Sequence, residues 1–265
     1  MKAKKILIAL GCVLISLPQY ISANDRNSGS QTKGASSEST LDKNQIEANN
    51  MNDRGIVQIK AKNFSQAEDT FRRAVLLDPY NLGAVFNLAS TLLINKKEEE
   101  AIVLLNDYTK KAPHDGGLFM RLGDAYFGTR KVEEAMKAYE QAYQLEPNII
   151  ELASKLGTVY LLNNRFAEAE KYLEAALEHE PANLQLLTNL SSVYLANAKI
   201  EKAISTAKKA LQVKASKEIY ITLATAYEIS KDYKNALIAF ERARDLGDER
   251  EEVKKKIAGL KKVAS

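Results

Sequence analysis

The stretch Glu133–Asn148 reads EEAMKAYEQAYQLEPN, and thirty-four residues further on Ala167–Asn183 reads AEAEKYLEAALEHEPAN. Aligned on alanine, the same register recurs at Ala67, Ala101, Ala135, Ala169, Ala203 and Ala236, at intervals of 34, 34, 34, 34 and 33. Prolines keep the beat at Pro79, Pro113, Pro147 and Pro181. A small residue stands twelve positions before each alanine, as Gly55, Ala89, Gly123, Gly157, Ser191 and Ala224. Bulky residues follow three after most of these, at Leu92, Tyr126, Tyr160, Tyr194 and Tyr227, and four after the alanine, at Phe71, Leu105, Tyr139, Leu173 and Phe240.

A period of this length carrying two runs of helical periodicity is a helical hairpin repeated. In the third unit the runs are Leu118–Phe127 and Val132–Leu145, joined by the polar turn Gly128-Thr129-Arg130. The small residue on the first helix and the alanine on the second remove bulk where the helices cross, so their axes can approach to about 8–10 Å while the aromatics fill the flanks. Proline ends each second helix. One hairpin cannot bury its apolar face alone, whereas stacked hairpins can, which makes the fold all-α and solenoidal.

The pattern resembles the tetratricopeptide repeat (TPR) family, through Leu122-Gly123-Asp124-Ala125-Tyr126, Ala135, Tyr139, Ala142 and Pro147, and again through Leu156-Gly157, Tyr160, Ala169, Leu173, Ala176 and Pro181. The resemblance covers about residues 48–248 and implies an α-solenoid of six helix-turn-helix units wound as a right-handed superhelix. The expected units are 48–81, 82–115, 116–149, 150–183, 184–216 and 217–248. The first has Arg54 and Gln58 where leucine and tyrosine are usual, a polar face suited to the end of an array. The fifth is one residue short, with Ala215 in place of proline. After Asp248, residues 249–263 set Val253, Ile257, Leu260 and Val263 on one helical face, which predicts a capping helix. A basic amphipathic helix of this kind also suits a membrane surface, but at the end of a repeat array capping is the expected role.

Upstream of the repeats, Lys2 to Lys5, the apolar run Ile6–Leu17 and Ile21-Ser22-Ala23 have the layout of a secretory signal, so residues 1–23 are expected to be removed, leaving no integral membrane span. An uncleaved anchor and a lipoprotein anchored through Cys12 are the alternatives. The second is weakened because Ala9-Leu10-Gly11 resembles a lipobox only in its glycine and the apolar run continues beyond the cysteine. Location is expected to be periplasmic or secreted. Cys12 is the only cysteine, so packing rather than disulfides must stabilise the mature chain. Residues 24–47 are rich in Ser, Asn, Gly and Thr and read as a disordered linker.

The net charge of +4 owes three of its 38 basic residues to Lys2, Lys4 and Lys5; without them 35 face 34 acidic ones. That balance gives no electrostatic footprint for nucleic acid. No phosphate loop, nucleophile elbow or H-E-x-x-H occurs, and His114 and His179 lack a second ligand at helical spacing, so no catalytic, cofactor or metal residues are expected. Glu98–Glu100 and Glu133–Glu134 open second helices and serve their dipoles. The triplets Asn63-Phe64-Ser65 and Asn189-Leu190-Ser191 match a glycosylation signal, but at positions the helices require.

The family resemblance implies a concave wall lined by first helices that grips peptides. Its sixth row is Asp53, Asn87, Arg121, Lys155, Asn189 and Thr222, with Ser90, Thr158 and Ser192 one turn on and Leu93, Phe127, Leu161 and Leu195 at the far edge. The expected peptide-binding residues are Asn87, Arg121, Lys155, Asn189, Phe127 and Leu161, with Arg121 and Lys155 presenting two positive charges to an acidic ligand unless Asp124, one turn from Arg121, neutralises it. A wall that is merely solvated is the competing reading. The carboxylate clamp of chaperone-binding relatives is matched only in part, because Asn52 and Gly117 stand where lysines are wanted. The function expected is an exported, non-enzymatic scaffold for a protein or peptide of unknown identity. A pilotin-like assembly factor, which the array resembles in repeat number, and a periplasmic chaperone-like protein are the alternatives.

Overall fold

The computed structural model describes residues 42–263. They form thirteen α-helices in two compact units divided between Asn148 and Ile149. The expected signal, residues 1–23, and most of the expected linker lie outside the described residues. In the first unit three hairpins follow in order, α1 (Lys43–Lys60) with α2 (Phe64–Leu77), α3 (Leu82–Ile94) with α4 (Glu98–Lys111), and α5 (Gly116–Gly128) with α6 (Val132–Leu145). In the second they are α7 (Ile150–Leu162) with α8 (Phe166–His179), α9 (Leu184–Ala196) with α10 (Ile200–Val213), and α11 (Lys217–Ile229) with α12 (Tyr233–Asp245), closed by α13 (Glu251–Lys261). Within each unit the first helices of successive hairpins also touch one another, α1 on α3 on α5 and α7 on α9 on α11.

The glycines explain the closeness of the hairpins. A Cβ built on Gly55 would lie 2.4 Å from the Phe71 ring, on Gly123 2.5 Å from the Tyr139 ring, and on Gly157 2.6 Å from Leu173 Cγ. Each contact joins the small position of a first helix to the bulky position of its second helix, so the glycines make room for the bulky side chains that the sequence reading set at the flanks. The alanines at the crossing are fully buried. In the fifth unit the bulky position is Ala207, and the facing Ser191 is itself fully buried, its hydroxyl donating to the Thr188 carbonyl at 2.8 Å.

Every hairpin turns through a left-handed residue that is not glycine: Lys62, Lys96, Arg130, Asn164, Ala198 and Lys231, with φ between 57° and 65°. Around each, two backbone bonds close the first helix, for example Lys96 N–H to Leu93 O at 3.2 Å and Lys97 N–H to Leu92 O at 2.9 Å. This is a Schellman ending, which satisfies carbonyls that the helix terminus would otherwise leave without donors.

Three boundaries differ from the sequence reading. Helix α1 starts at Lys43, inside the stretch read as linker, because Asp42 and Gln45 cap it: the Asp42 N–H donates to Gln45 Oε1 at 3.1 Å. Only Ala48 and Gly55 of α1 are buried, so capping and helix-forming residues extend it rather than a core. Helix α5 gains Gly116, Gly117 and Gly128 at its ends. At the C-terminus Val253, Ile257 and Leu260 are buried, but Val263 lies beyond α13 and is 59% exposed, so it is not part of the apolar face. Lys256 bonds Glu228 at 2.6 Å and Lys261 bonds Glu241 at 3.2 Å, which ties the basic side of α13 to α11 and α12.

Candidate peptide-binding surface

The first helices other than α1 bury many apolar side chains, and among these the sixth row is polar. Asn87, Asn189 and Thr222 of this row bond to a neighbouring first helix. Asn87 Nδ2 donates to Asn52 Oδ1 at 2.9 Å, between α3 and α1, and Asn81 Nδ2 to Asn49 Oδ1 at 2.8 Å. In the second unit Asn189 accepts from Gln185 Nε2 at 2.8 Å and reaches Thr158 Oγ1 at 3.5 Å, while the Ser192 and Thr222 hydroxyls stand 3.4 Å apart. A polar group in such a wall needs a partner to offset its desolvation, and the neighbouring helix supplies it.

Arg121 departs from its expected role. It is 1% exposed, Nη1 donates to Asp124 Oδ2 at 2.6 Å, and the guanidinium lies 4.7 Å over the Phe86 ring. Asp124 accepts in addition from the Tyr139 hydroxyl at 2.7 Å. A buried cation is tolerated only when paired, and Asp124, one turn on, pairs it. The expectation of two open charges is therefore corrected: Arg121 is a neutralised core residue. Lys155 is half-buried, as are Asn87 and Phe127, while Asn189 and Leu161 are each 6% exposed. Asn87 and Phe127 belong to the first unit, and Lys155, Asn189 and Leu161 to the second.

Both acidic runs open helices, Glu133 and Glu134 in the first turn of α6, and the run at Glu98–Glu100 also forms ion pairs. Glu98, Glu99 and Glu100 occupy the first turn of α4, with Glu99 reaching Lys131 at 3.2 Å and Glu100 reaching Arg72 at 2.5 Å. His114 and His179 are exposed. Among the described residues no three His, Cys, Asp or Glu side chains gather as a metal site, and no helix is long and apolar enough to cross a membrane.

A pair of junction locks escaped the sequence reading. Glu68, 4% exposed on α2, accepts from Asn95 Nδ2 at 2.7 Å and from Lys97 Nζ at 2.8 Å in the turn of the next hairpin, and from Arg72 on its own helix. Glu170, 8% exposed on α8, accepts likewise from Asn197 at 2.7 Å and Lys199 at 2.5 Å. Burial pushes the Glu68 pKa up, but the hydrogen bonds from Lys97, Asn95 and Arg72 outweigh it and bring the value down to about 2. The available signal was a glutamate three before a bulky residue, followed by Asn and Lys 27 and 29 positions on. Tyrosines of the first helices make a second tie: the Tyr194 hydroxyl donates to Glu174 at 2.6 Å, and Tyr126 exchanges hydrogen bonds with Asn106. Burial and the adjacent Glu174 raise the Tyr194 pKa, and the Tyr194 hydrogen bond lowers that of Glu174.

Three tetratricopeptide repeat models match the chain, one at residues 58–122 and 160–220, one at 117–149 and one at 217–246. Among curated proteins none matches. Among solved structures, PilF of Pseudomonas aeruginosa is similar at 16% identity with a TM-score of 0.65, over 82% of this chain and 99% of its own. YrrB, described as a TPR protein with an unusual peptide-binding site, is similar at 16% identity and 0.65, over 72% of this chain and 97% of its own. MamA of Desulfovibrio magneticus RS-1 is similar at 21% and 0.57, over 63% and 95%. With the hairpin geometry and the matching repeat models together, the chain belongs to the tetratricopeptide repeat family and has its all-α solenoid fold.

Proposed function

We propose that the protein is an exported, non-catalytic scaffold that holds a protein or an extended peptide along the wall of its first helices. The carrying observation is that first helices stand side by side within each unit, α1, α3 and α5 in the first and α7, α9 and α11 in the second, and keep partly exposed side chains there, Asn87 and Phe127 in the first and Lys155 in the second. YrrB, with the same fold, is described by its peptide-binding site, which supports this reading. Since Arg121 is neutralised by Asp124 and Asn189 and Thr222 are buried, the first unit offers a ligand Asn87 and the apolar edge at Phe127, and the second offers Lys155, whose charge contributes register. Capture from an envelope extract by the wild-type chain should weaken in the variant Asn87→Ala with Lys155→Ala, whose melting curve should stay close to wild type. Equal capture by both would place the binding surface elsewhere.

Export rests on residues 1–23, and mass spectrometry of the protein from its native host should find Asn24 as the first residue. The second reading, a pilotin-like assembly factor, draws on the six repeat units. A lipid on Cys12 in the same spectrum would favour it and would overturn cleavage after Ala23.

A further inference from the structure

The two ends of the array are finished differently. At the C-terminus α13 covers the last hairpin. At the other end α1 packs on α2 and α3, and among the described residues nothing covers its opposite face. The tenth position of the repeat measures this. Where a preceding hairpin lies inside the same unit, that position is sealed: Thr91 is 1% exposed and Ala125, Val193 and Ala226 are 0%. Its counterpart in the first hairpin, Val57, is 64% exposed, and Ile46, three turns earlier on the same face, is 48% exposed. Between them lie Asn50 and Arg54, both exposed. Gln58 takes the place where Tyr126 and Tyr194 reach back to Asn106 and Glu174 of the preceding hairpin, and its buried Oε1 has no hydrogen-bond donor. Arg54 and Gln58 make part of this face polar, yet it also leaves Ile46 and Val57 uncovered among the described residues.

We propose that a second copy of the chain covers this face, with the two α1 helices packed antiparallel across a two-fold axis. Ile46 and Val57 are eleven residues apart, about 16 Å along a helix, so an antiparallel pair sets each Ile46 against the second copy's Val57. The same register brings Arg54 within a turn of the second copy's Glu47. Neither residue has an ion pair among the described residues of its own chain, so the charges complement each other across the axis. The chain's own upstream sequence is a poor cover: residues 28–40, SGSQTKGASSEST, hold no apolar side chain larger than Ala35, and the apolar run Ile6–Leu17 is expected to be removed.

The test is sedimentation velocity of the purified chain from low to high micromolar concentration. The expected result is a rise from the mass of one chain to that of two, and its loss in Val57→Glu and in Ile46→Glu, both with unchanged helical content because the sites are exposed. Orientation is read by oxidising cysteine variants on a Cys12→Ser background. Ile46→Cys with Val57→Cys should give a covalent dimer and Ile46→Cys alone should not. A single-chain mass at every concentration, or association undiminished in both glutamate variants, overturns the proposal. A monomer whose stability falls on Val57→Glu also overturns it and assigns the face to the chain's own upstream segment.

Discussion

Gly157 has no room for a side chain. Its missing Cβ would meet Leu173 Cγ at 2.6 Å and the Leu173 backbone nitrogen at 3.1 Å, and the backbone cannot swing away as a side-chain end can. Gly157→Leu is expected to cost on the order of 1–3 kcal/mol through overpacking, less about 1 kcal/mol that leucine regains in helix propensity. A urea midpoint lowered with an unchanged slope would bear this out; an unchanged midpoint would count against helix contact at this site. Arg121 is the opposite case, a side chain that reads as surface and is core. Arg121→Glu puts a second carboxylate beside Asp124 at a site 1% exposed, and should cost about 3–5 kcal/mol in thermal unfolding. A melting curve equal to wild type would return Arg121 to the surface. The contrast shows what the sequence could convey at this scale. The spacing from Gly157 to Leu173 is fixed by the repeat and was legible, and so was Asp124 one turn from Arg121, whereas the burial of Arg121 over Phe86 depends on its rotamer, and period alone does not carry that.

At the scale of elements, the turns and the junctions behave differently. The left-handed turn residues recur at the repeat interval, yet their identities range over Lys, Arg, Asn and Ala. Ala198, at φ 57°, has no side chain that could gain anything from this conformation, so Ala198→Gly should stabilise by about 1 kcal/mol despite the extra freedom glycine has when unfolded. A lower urea midpoint would refute this. At the first junction the Glu68 lock makes stability depend on acid. Its folded pKa of about 2 lies below the ordinary 4.5, so the stabilisation is fully present above 4.5 and is lost as pH falls from about 4.5 to 2. The magnitude is about 1–3 kcal/mol, below the full linkage value because the Lys97 and Arg72 side chains are 43% and 42% exposed. Glu68→Gln should flatten the acid limb of a stability–pH curve over that window, and an identical limb in both proteins would remove Glu68 as its source. Neither device was read from the sequence. The turns lack the glycine that usually marks a left-handed residue, and the lock is split between two hairpins, each glutamate meeting its Asn and Lys only once the hairpins stack. Helix type, number and order were legible, because each is set by local periodicity.

For the whole molecule, nearest-neighbour stacking means that stability is distributed along the array and not shared equally. In the second unit the final hairpin depends on α13, whose Val253, Ile257 and Leu260 are 4%, 6% and 5% exposed and join a core with Ile221, Ala236, Ala239, Phe240 and Ala243. A stop after Asp248 would uncover that core, and it would also strip Asp248, 2% exposed, of Arg250, whose Nε and Nη2 hold its carboxylate at 2.8 and 2.5 Å. Each of the three side chains is worth about 1.5–3 kcal/mol of burial before the entropy of ordering α13 is set against it. Because contacts run only to the next hairpin, the loss should be local. Amide exchange should accelerate most in α11 and α12, less in α9 and α10, and least in α7 and α8. Two outcomes would contradict this: equal acceleration through α7–α12, which would make the second unit one cooperative block, or undiminished protection in α11 and α12, which would reduce α13 to an appendage.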